Sequence, residues 1–281
     1  MDVFDLPSVE VLIRAALAED LGGGDITTQL TVPRDARGRA AISAQESAVI
    51  AGTPLIRRIG AVAGGEVEVR DCIADGTRVV AGDVIATLAG SAHTLLAIER
   101  VTLNFLQHLS GIATLTARYV AAVSGCGCRI VDTRKTIPGL RVLEKYAVRI
   151  GGGFNHRHGL YDGILIKNNH ITAAGGVAPA VTAARTAAPH GLKVEVECTT
   201  LSEVAEALAA GAEIILLDNM SPDALTQAVR RIERRAVVEA SGGVNLDTVR
   251  AIAGAGVDII SIGALTHSAP AVDLHMTLFL E

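Results

Sequence analysis

Apolar residues recur along this chain with two different periods, and the change falls near residue 125. Val9, Leu12, Ile13, Ala16 and Leu17 lie at helical spacing and predict a helix opened by Pro7-Ser8, with Ser8 as its N-cap. Leu21-Gly22-Gly23-Gly24-Asp25 ends that pattern. Short apolar runs follow at Ala40–Ala44, Val67–Val69, Arg78–Val80 and Val84–Leu88, each cut by glycine, and predict strands of a small β-sandwich element. Leu95, Ile98, Thr102, Phe105, Leu106 and Leu109 form one stripe, which predicts a helix from Ser91 to about Leu109. Gly111 is expected to interrupt it, before a further helical pattern that runs to Val123.

Beyond residue 125 the runs become continuously apolar: Arg129–Asp132, Gly163–Lys167, Val194–Cys198, Ile214–Asp218, Val237–Ala240 and Ile259–Ile262. The last four begin 20, 23 and 22 residues apart, with Ala-rich helical patterns between them. Buried strands alternating with helices predict a parallel sheet. Repetition at this spacing, without a GxGxxG turn, favours an α/β barrel over a dinucleotide-binding sheet.

Composition narrows the function classes. The 281 residues are 49% apolar and 20% charged, a globular balance. The net charge is −5, and only four Phe, three Tyr and no Trp are present. Neither a basic field nor an aromatic platform is on offer to nucleic acid. No apolar run reaches the ~18 residues of a membrane helix, and the opening Met1-Asp2-Val3-Phe4-Asp5 lacks the basic and apolar regions of a secretory signal. A cytoplasmic location is therefore expected. Cys72, Cys126, Cys128 and Cys198 form no CxxC pair and are too few for a disulfide framework. The stretch Asp75 to Ala86 has the look of a carrier half-sandwich, but such a carrier needs a lysine, and none occurs before residue 135. Of the 25 cationic residues only four are Lys, and Lys135, Lys145 and Lys167 fall within 33 residues.

In an α/β barrel the reactive groups sit at the C-terminal ends of the strands. Those ends read Asp132-Thr133-Arg134-Lys135, Lys167-Asn168-Asn169-His170, Glu195-Val196-Glu197-Cys198, Asp218-Asn219, Glu239-Ala240-Ser241-Gly242-Gly243 and Ser261-Ile262-Gly263-Ala264. Charge next to buried strand residues is costly unless paired or used. The two glycine turns, each just before a helical segment, suit a phosphate group. Arg149 to Gly159, with three consecutive glycines and then Asn155-His156-Arg157-His158, suits anion recognition. His93, His108, His190 and His275 read as structural. Together the rim offers a cationic floor, two carboxylates and a phosphate cradle, which fits a sugar phosphate and a second anion.

Several longer motifs carry a resemblance. Glu19-Asp20-Leu21-Gly22-Gly23-Gly24-Asp25-Ile26-Thr27-Thr28, Glu99-Arg100-Val101-Thr102-Leu103-Asn104, Asp132-Thr133-Arg134-Lys135-Thr136, Leu143-Glu144-Lys145-Tyr146-Ala147-Val148 with the Gly-Gly-Gly-Phe-Asn-His-Arg beyond it, and Gly263 to Ser268 resemble the quinolinate phosphoribosyltransferase family over residues 19–275. The resemblance implies an N-terminal α/β sandwich domain over residues 1–112 and a C-terminal α/β barrel over 113–281, with the last residues packing back on the first domain. It implies a type II phosphoribosyltransferase that joins quinolinate to 5-phosphoribosyl-1-pyrophosphate with decarboxylation, using Mg2+, as a homodimer or larger assembly. By the same resemblance, Thr133, Arg134, His156, Arg157 and Lys167 would hold quinolinate, with Arg100 supplied by a second copy. Lys135 would contact pyrophosphate or substrate, Glu197 and Asp218 would act at the ribose or bind Mg2+, and Ser241, Gly242, Gly243, Ile262, Gly263 and Ala264 would cradle the 5-phosphate. Ile137 and Asn168 depart from the family pattern. Two rivals stay open: a same-fold phosphoribosyltransferase with another acceptor, and a non-catalytic binding protein.

Overall fold

The structure, a computed structural model, describes residues 2–65 and 67–280. Its helices are α1 (Pro7–Leu21), α2 (Ile26–Thr31), α3 (Pro54–Val62), α4 (Ala92–Ala122), α5 (Arg141–Ile150), α6 (Asn168–Ala174), α7 (Val177–Ala187), α8 (Leu201–Ala210), α9 (Pro222–Ile232), α10 (Val249–Gly254) and α11 (Ala264–His267). Its strands are β1 (Arg37–Ala44), β2 (Ala48–Val49), β3 (Val67–Cys72), β4 (Arg78–Val79), β5 (Val84–Ser91), β6 (Arg129–Val131), β7 (Ile164–Ile166), β8 (Val194–Cys198), β9 (Ile214–Asp218), β10 (Val237–Ser241), β11 (Ile259–Ser261) and β12 (Leu274–Leu280). Contacts group the chain into two units. One comprises Met1–Leu115, Ile137–Gly151 and Ser268–Glu281; the other comprises Thr116–Thr136 and Gly152–His267.

The first unit is built on an antiparallel sheet in the order β12-β1-β5-β3. Exposed or half-buried residues alternate with buried ones along β1, because only one face of that strand meets the core. Ile42, Leu88, Leu95, Leu106, Leu274 and Met276 fill that core. Three sequence expectations need correction or completion here. Helix α1 is capped at Leu6 rather than Ser8, because Pro7 takes the first helical position, where its missing N–H costs nothing. Gly111 does not break α4, which runs unbroken for 31 residues. A Cβ at Gly111 would collide with the carbonyl oxygen of Pro270, so this glycine admits a close backbone approach instead. Lys145 is fully buried in the first unit, as is Glu144, so this lysine does not share the rim of Lys135 and Lys167. Glu144 accepts from His108 at 2.8 Å and from the Ile137 amide at 3.2 Å, which satisfies a charge that burial would otherwise make costly. His93 likewise bonds the Val32 carbonyl, in line with its structural reading.

The second unit holds six parallel strands in the order β6-β11-β10-β9-β8-β7. Consecutive strands lie side by side, and the last returns beside the first, which is the order of a barrel. Among the described residues β6 and β7 do not pair with each other; on the β6 side a single parallel bridge joins Val131 to Phe154. The strand expectations for residues 194–198 and 214–218 match the observed bounds; those for 129–132, 237–240 and 259–262 differ by one residue at one end, and that for 163–167 is one residue too long at each end. All four cysteines are free. Among the described residues no helix is long and apolar enough to cross a membrane.

Candidate active site

Asp132 follows β6 and is fully buried. Its carboxylate accepts from the Asn155 side chain at 2.6 Å and from the His156 amide at 2.9 Å. That clamp, together with the Val131–Phe154 bridge, lays the segment beyond the triple glycine alongside β6 and brings His156 and Arg157 to the strand ends. Arg157 donates to the Gly163 carbonyl at 3.0 Å. Burial and the nearby Arg134 guanidinium lower its proton affinity, with Glu195 and Asp162 opposing. Two guanidiniums this close lower each other's stability until an anion arrives, so their pairing favours a ligand with more than one negative charge.

A cavity of about 760 Å³ opens at these strand ends. Thr133, Arg134, Lys135, His156, Arg157 and Lys167 line one part of it. Glu197, Asp218, Ser241, Gly242 and Gly243 line another, and Ile262, Gly263 and Ala264 complete it. The structure therefore brings together every candidate read from the sequence except Arg100, which is exposed on α4 in the first unit. Lys167 Nζ lies 2.9 Å from Glu197 Oε2. The carboxylate that fixes this lysine is thus on the neighbouring strand, and Asn168 turns its own side chain onto the Asn169 amide. Asp218 accepts from the Asn219 side chain at 2.8 Å. Gly242 and Gly243 both have left-handed φ, +91° and +61°, and a Cβ at Gly242 would strike the Asn219 side chain. Only glycine leaves this turn open enough for its backbone to approach an anion.

Sequence reasoning named Glu195 and Glu239 on the strand ends but not among the site residues. Both are buried, yet Glu239 lines the cavity. His156 Nε2 lies 3.3 Å from Glu195 and 3.7 Å from Glu239, while its Nδ1 accepts from the Arg157 amide at 2.7 Å. That acceptance puts the ring proton on Nε2, facing the two carboxylates. It also leaves no lone pair on Nε2 for a metal, although His156, Glu195 and Glu239 stand within 4.8 Å of one another. Asn219 and His267 also line the cavity and were not singled out. Their only sequence signal was position, directly after a strand end and within the last glycine turn.

The profile of the quinolinate phosphoribosyl transferase C-terminal domain matches residues 112–277, and that of the N-terminal domain matches residues 25–110. The chain belongs to the quinolinate phosphoribosyltransferase family. A probable nicotinate-nucleotide pyrophosphorylase [carboxylating] of Synechocystis sp. is 47% identical over 93% of this chain and 90% of its own length. The nicotinate-nucleotide pyrophosphorylase [carboxylating] of Mycobacterium leprae is 45% identical over 95% of each. The crystal structure of NadC from Streptococcus pyogenes superposes with a TM-score of 0.94 at 41% identity, covering 99% of both chains. Quinolinate phosphoribosyltransferase membership rests on two domain models that together span residues 25–277 but for residue 111.

Proposed function

We infer that this chain is a carboxylating nicotinate-nucleotide pyrophosphorylase: it transfers the phosphoribosyl group of 5-phosphoribosyl-1-pyrophosphate to quinolinate, releasing pyrophosphate and carbon dioxide and leaving nicotinate mononucleotide for NAD biosynthesis. The observation that carries this reading is the single cavity in which Arg134, Arg157 and Lys167 meet two small-residue turns, Ser241–Gly243 and Ile262–Ala264. Quinolinate is a dianion and a poor nucleophile. Two guanidiniums and an ammonium neutralise its carboxylates and hold the ring nitrogen toward the ribose, which is catalysis by placement and by preorganised charge. The two turns take the 5-phosphate on backbone N–H groups. Lys135 serves the departing pyrophosphate. Glu197 and Asp218 face the ribose, where positive charge builds as the pyrophosphate bond breaks.

The two carboxylates also fit a magnesium ion that arrives with its phosphates. Mg2+ is commonly held by one or two carboxylates plus substrate oxygens, and neither Glu197 nor Asp218 sits in a closed cage of protein ligands. When bound, the ion would neutralise pyrophosphate charge. Arg100, exposed on α4, would complete the site of a second copy in a homodimer, and a cytoplasmic location suits the substrates.

The test is release of pyrophosphate and of labelled carbon dioxide from purified protein given carboxyl-labelled quinolinate, 5-phosphoribosyl-1-pyrophosphate and Mg2+. Release that needs all three is expected. Turnover of nicotinate in place of quinolinate would favour a same-fold enzyme with a different acceptor, and substrate binding without turnover would favour the binding-protein reading.

A further inference from the structure

We propose that Asn219 is a positioning residue for the phosphoribosyl donor: its side-chain amide fixes the Asp218 carboxylate toward the ribose carbon that pyrophosphate leaves. The inference rests on the reading that this chain transfers a phosphoribosyl group, and it adds a residue to which that reading gives no role.

The backbone singles this residue out. Among the described residues three that are not glycine hold a left-handed φ: Asn219 at +54°, Glu233 at +49° and Arg234 at +61°. Glu233 caps the end of α9 and Arg234 follows it, so a helix ending accounts for that pair. Asn219 ends no helix. It follows the last residue of β9 and lines the cavity. Asparagine enters the left-handed region at less cost than most side chains, and here its own N–H donates to the Ser241 carbonyl at 2.9 Å. That bond ties the end of β9 to the end of β10, where Asp218 already stands opposite Ser241. The turn sets the Asn219 side chain between two parts of the site. On one side Nδ2 donates to Asp218 Oδ2 at 2.8 Å. Only the amide nitrogen can meet a carboxylate favourably, which fixes the orientation of the group. On the other side the side chain lies against the α-carbon of Gly242, where a Cβ would strike it. Asp218 Oδ1 makes no hydrogen bond among the described residues and is left for the ligand.

Asn219 exchanges no proton and forms no bond in the reaction. Its effect is on when Asp218 is ready. Positive charge builds on the ribose only as the pyrophosphate bond breaks, so a carboxylate held in place beforehand favours the transition state over the bound substrate. The 5-phosphate, by contrast, meets the same backbone turns before and during the step. Loss of the Asn219 N–H should therefore fall on kcat and spare KM.

The test compares Asn219→Gly and Asn219→Asp with the wild type at pH 8, reading kcat, the KM for 5-phosphoribosyl-1-pyrophosphate and the thermal midpoint. A wild type that releases no pyrophosphate would remove the parent reading before any variant is compared. Glycine keeps the left-handed backbone and removes the donor. Aspartate keeps the size of the group against Gly242 but sets a second carboxylate on the first. As a donor to Asp218, Asn219 should give a kcat about 10-fold lower in Asn219→Gly and about 100-fold lower in Asn219→Asp, with KM within about threefold and the midpoint within a few degrees. A residue that only filled the space at Gly242 would give the reverse order, because aspartate fills it and glycine does not. That reverse order would overturn the assignment, as would a near-normal kcat in Asn219→Gly or a loss confined to KM. Calorimetric titration with ribose 5-phosphate supplies an arm that needs no turnover. Both variants should bind it within about threefold of the wild type. A larger loss would make Asn219 part of the packing of the phosphate turn, and the proposal would fall.

Discussion

At the scale of single residues, the site depends on charges whose partners lie far away in sequence. Asp132 is the clearest case. It is fully buried, and its carboxylate holds both the side chain of Asn155 and the amide of His156. Asp132→Ala orphans both donors, so it should cost about 3 kcal/mol in urea unfolding, because hydrogen bonds to a buried charged group rank among the stronger ones. The same change should raise the KM for quinolinate, since Arg157 is positioned through that segment. Lys135 carries a different expectation. It lines the cavity, its chain is exposed, and its own carbonyl accepts from Thr266 Oγ1 at 2.7 Å. Lys135→Ala should abolish turnover while leaving the thermal midpoint within a degree or two of the wild type; near-normal activity would remove this lysine from the mechanism. Strand-end residues such as Arg134, Lys167 and Asp218 were legible because each ends an apolar run. Glu195 and Glu239 were equally visible as charges inside apolar runs. Their coupling was not, because it arises only when β8, β10 and His156 converge. Lys145 shows the converse: its nearness in sequence to Lys135 left open which unit buries it.

At the scale of elements, hydrophobic period located the strands well and misjudged glycine. A period-2 or continuous apolar run depends on local residues, so β8 and β9 could be read end to end. A glycine inside a helical stripe has two explanations, a break or a close approach, and sequence alone does not separate them. Gly111 belongs to the second kind, with the Pro270 carbonyl where its Cβ would be. Gly111→Ala would ordinarily strengthen a helix by roughly 0.5–1 kcal/mol. Here the methyl group must displace backbone, so a net loss of about 2 kcal/mol or more is expected, seen as a fall in the thermal midpoint. A rise would show that Gly111 acts as an ordinary helix glycine. The gap between β6 and β7 was also beyond the pattern, since both runs look like any other buried strand.

At the scale of the whole molecule, an acidic protein maintains a cationic cavity whose floor holds two buried carboxylates, and that arrangement ties stability to pH. The net charge is −5, yet Arg134, Lys135, Arg157 and Lys167 face one space. Unopposed, four such cations would destabilise the fold before any anion bound; Glu197, beside Lys167, and Glu195, acting on Arg157, moderate that repulsion. Glu239 sets the sign of the pH dependence. Its ordinary value is 4.5 and burial beside Glu195 raises it to about 7 in the folded chain. The folded state thus binds this proton more tightly than the unfolded state. The associated stability is fully present below pH ~4.5 and is lost as pH rises through about 7. Glu239→Gln removes the ionisation, so the variant should match the wild type near pH 5 and exceed it in unfolding free energy at pH 8. Urea titrations of both proteins at pH 5, 6, 7 and 8 would read the difference directly. A gap that stays constant across the series would mean that Glu239 is ionised throughout.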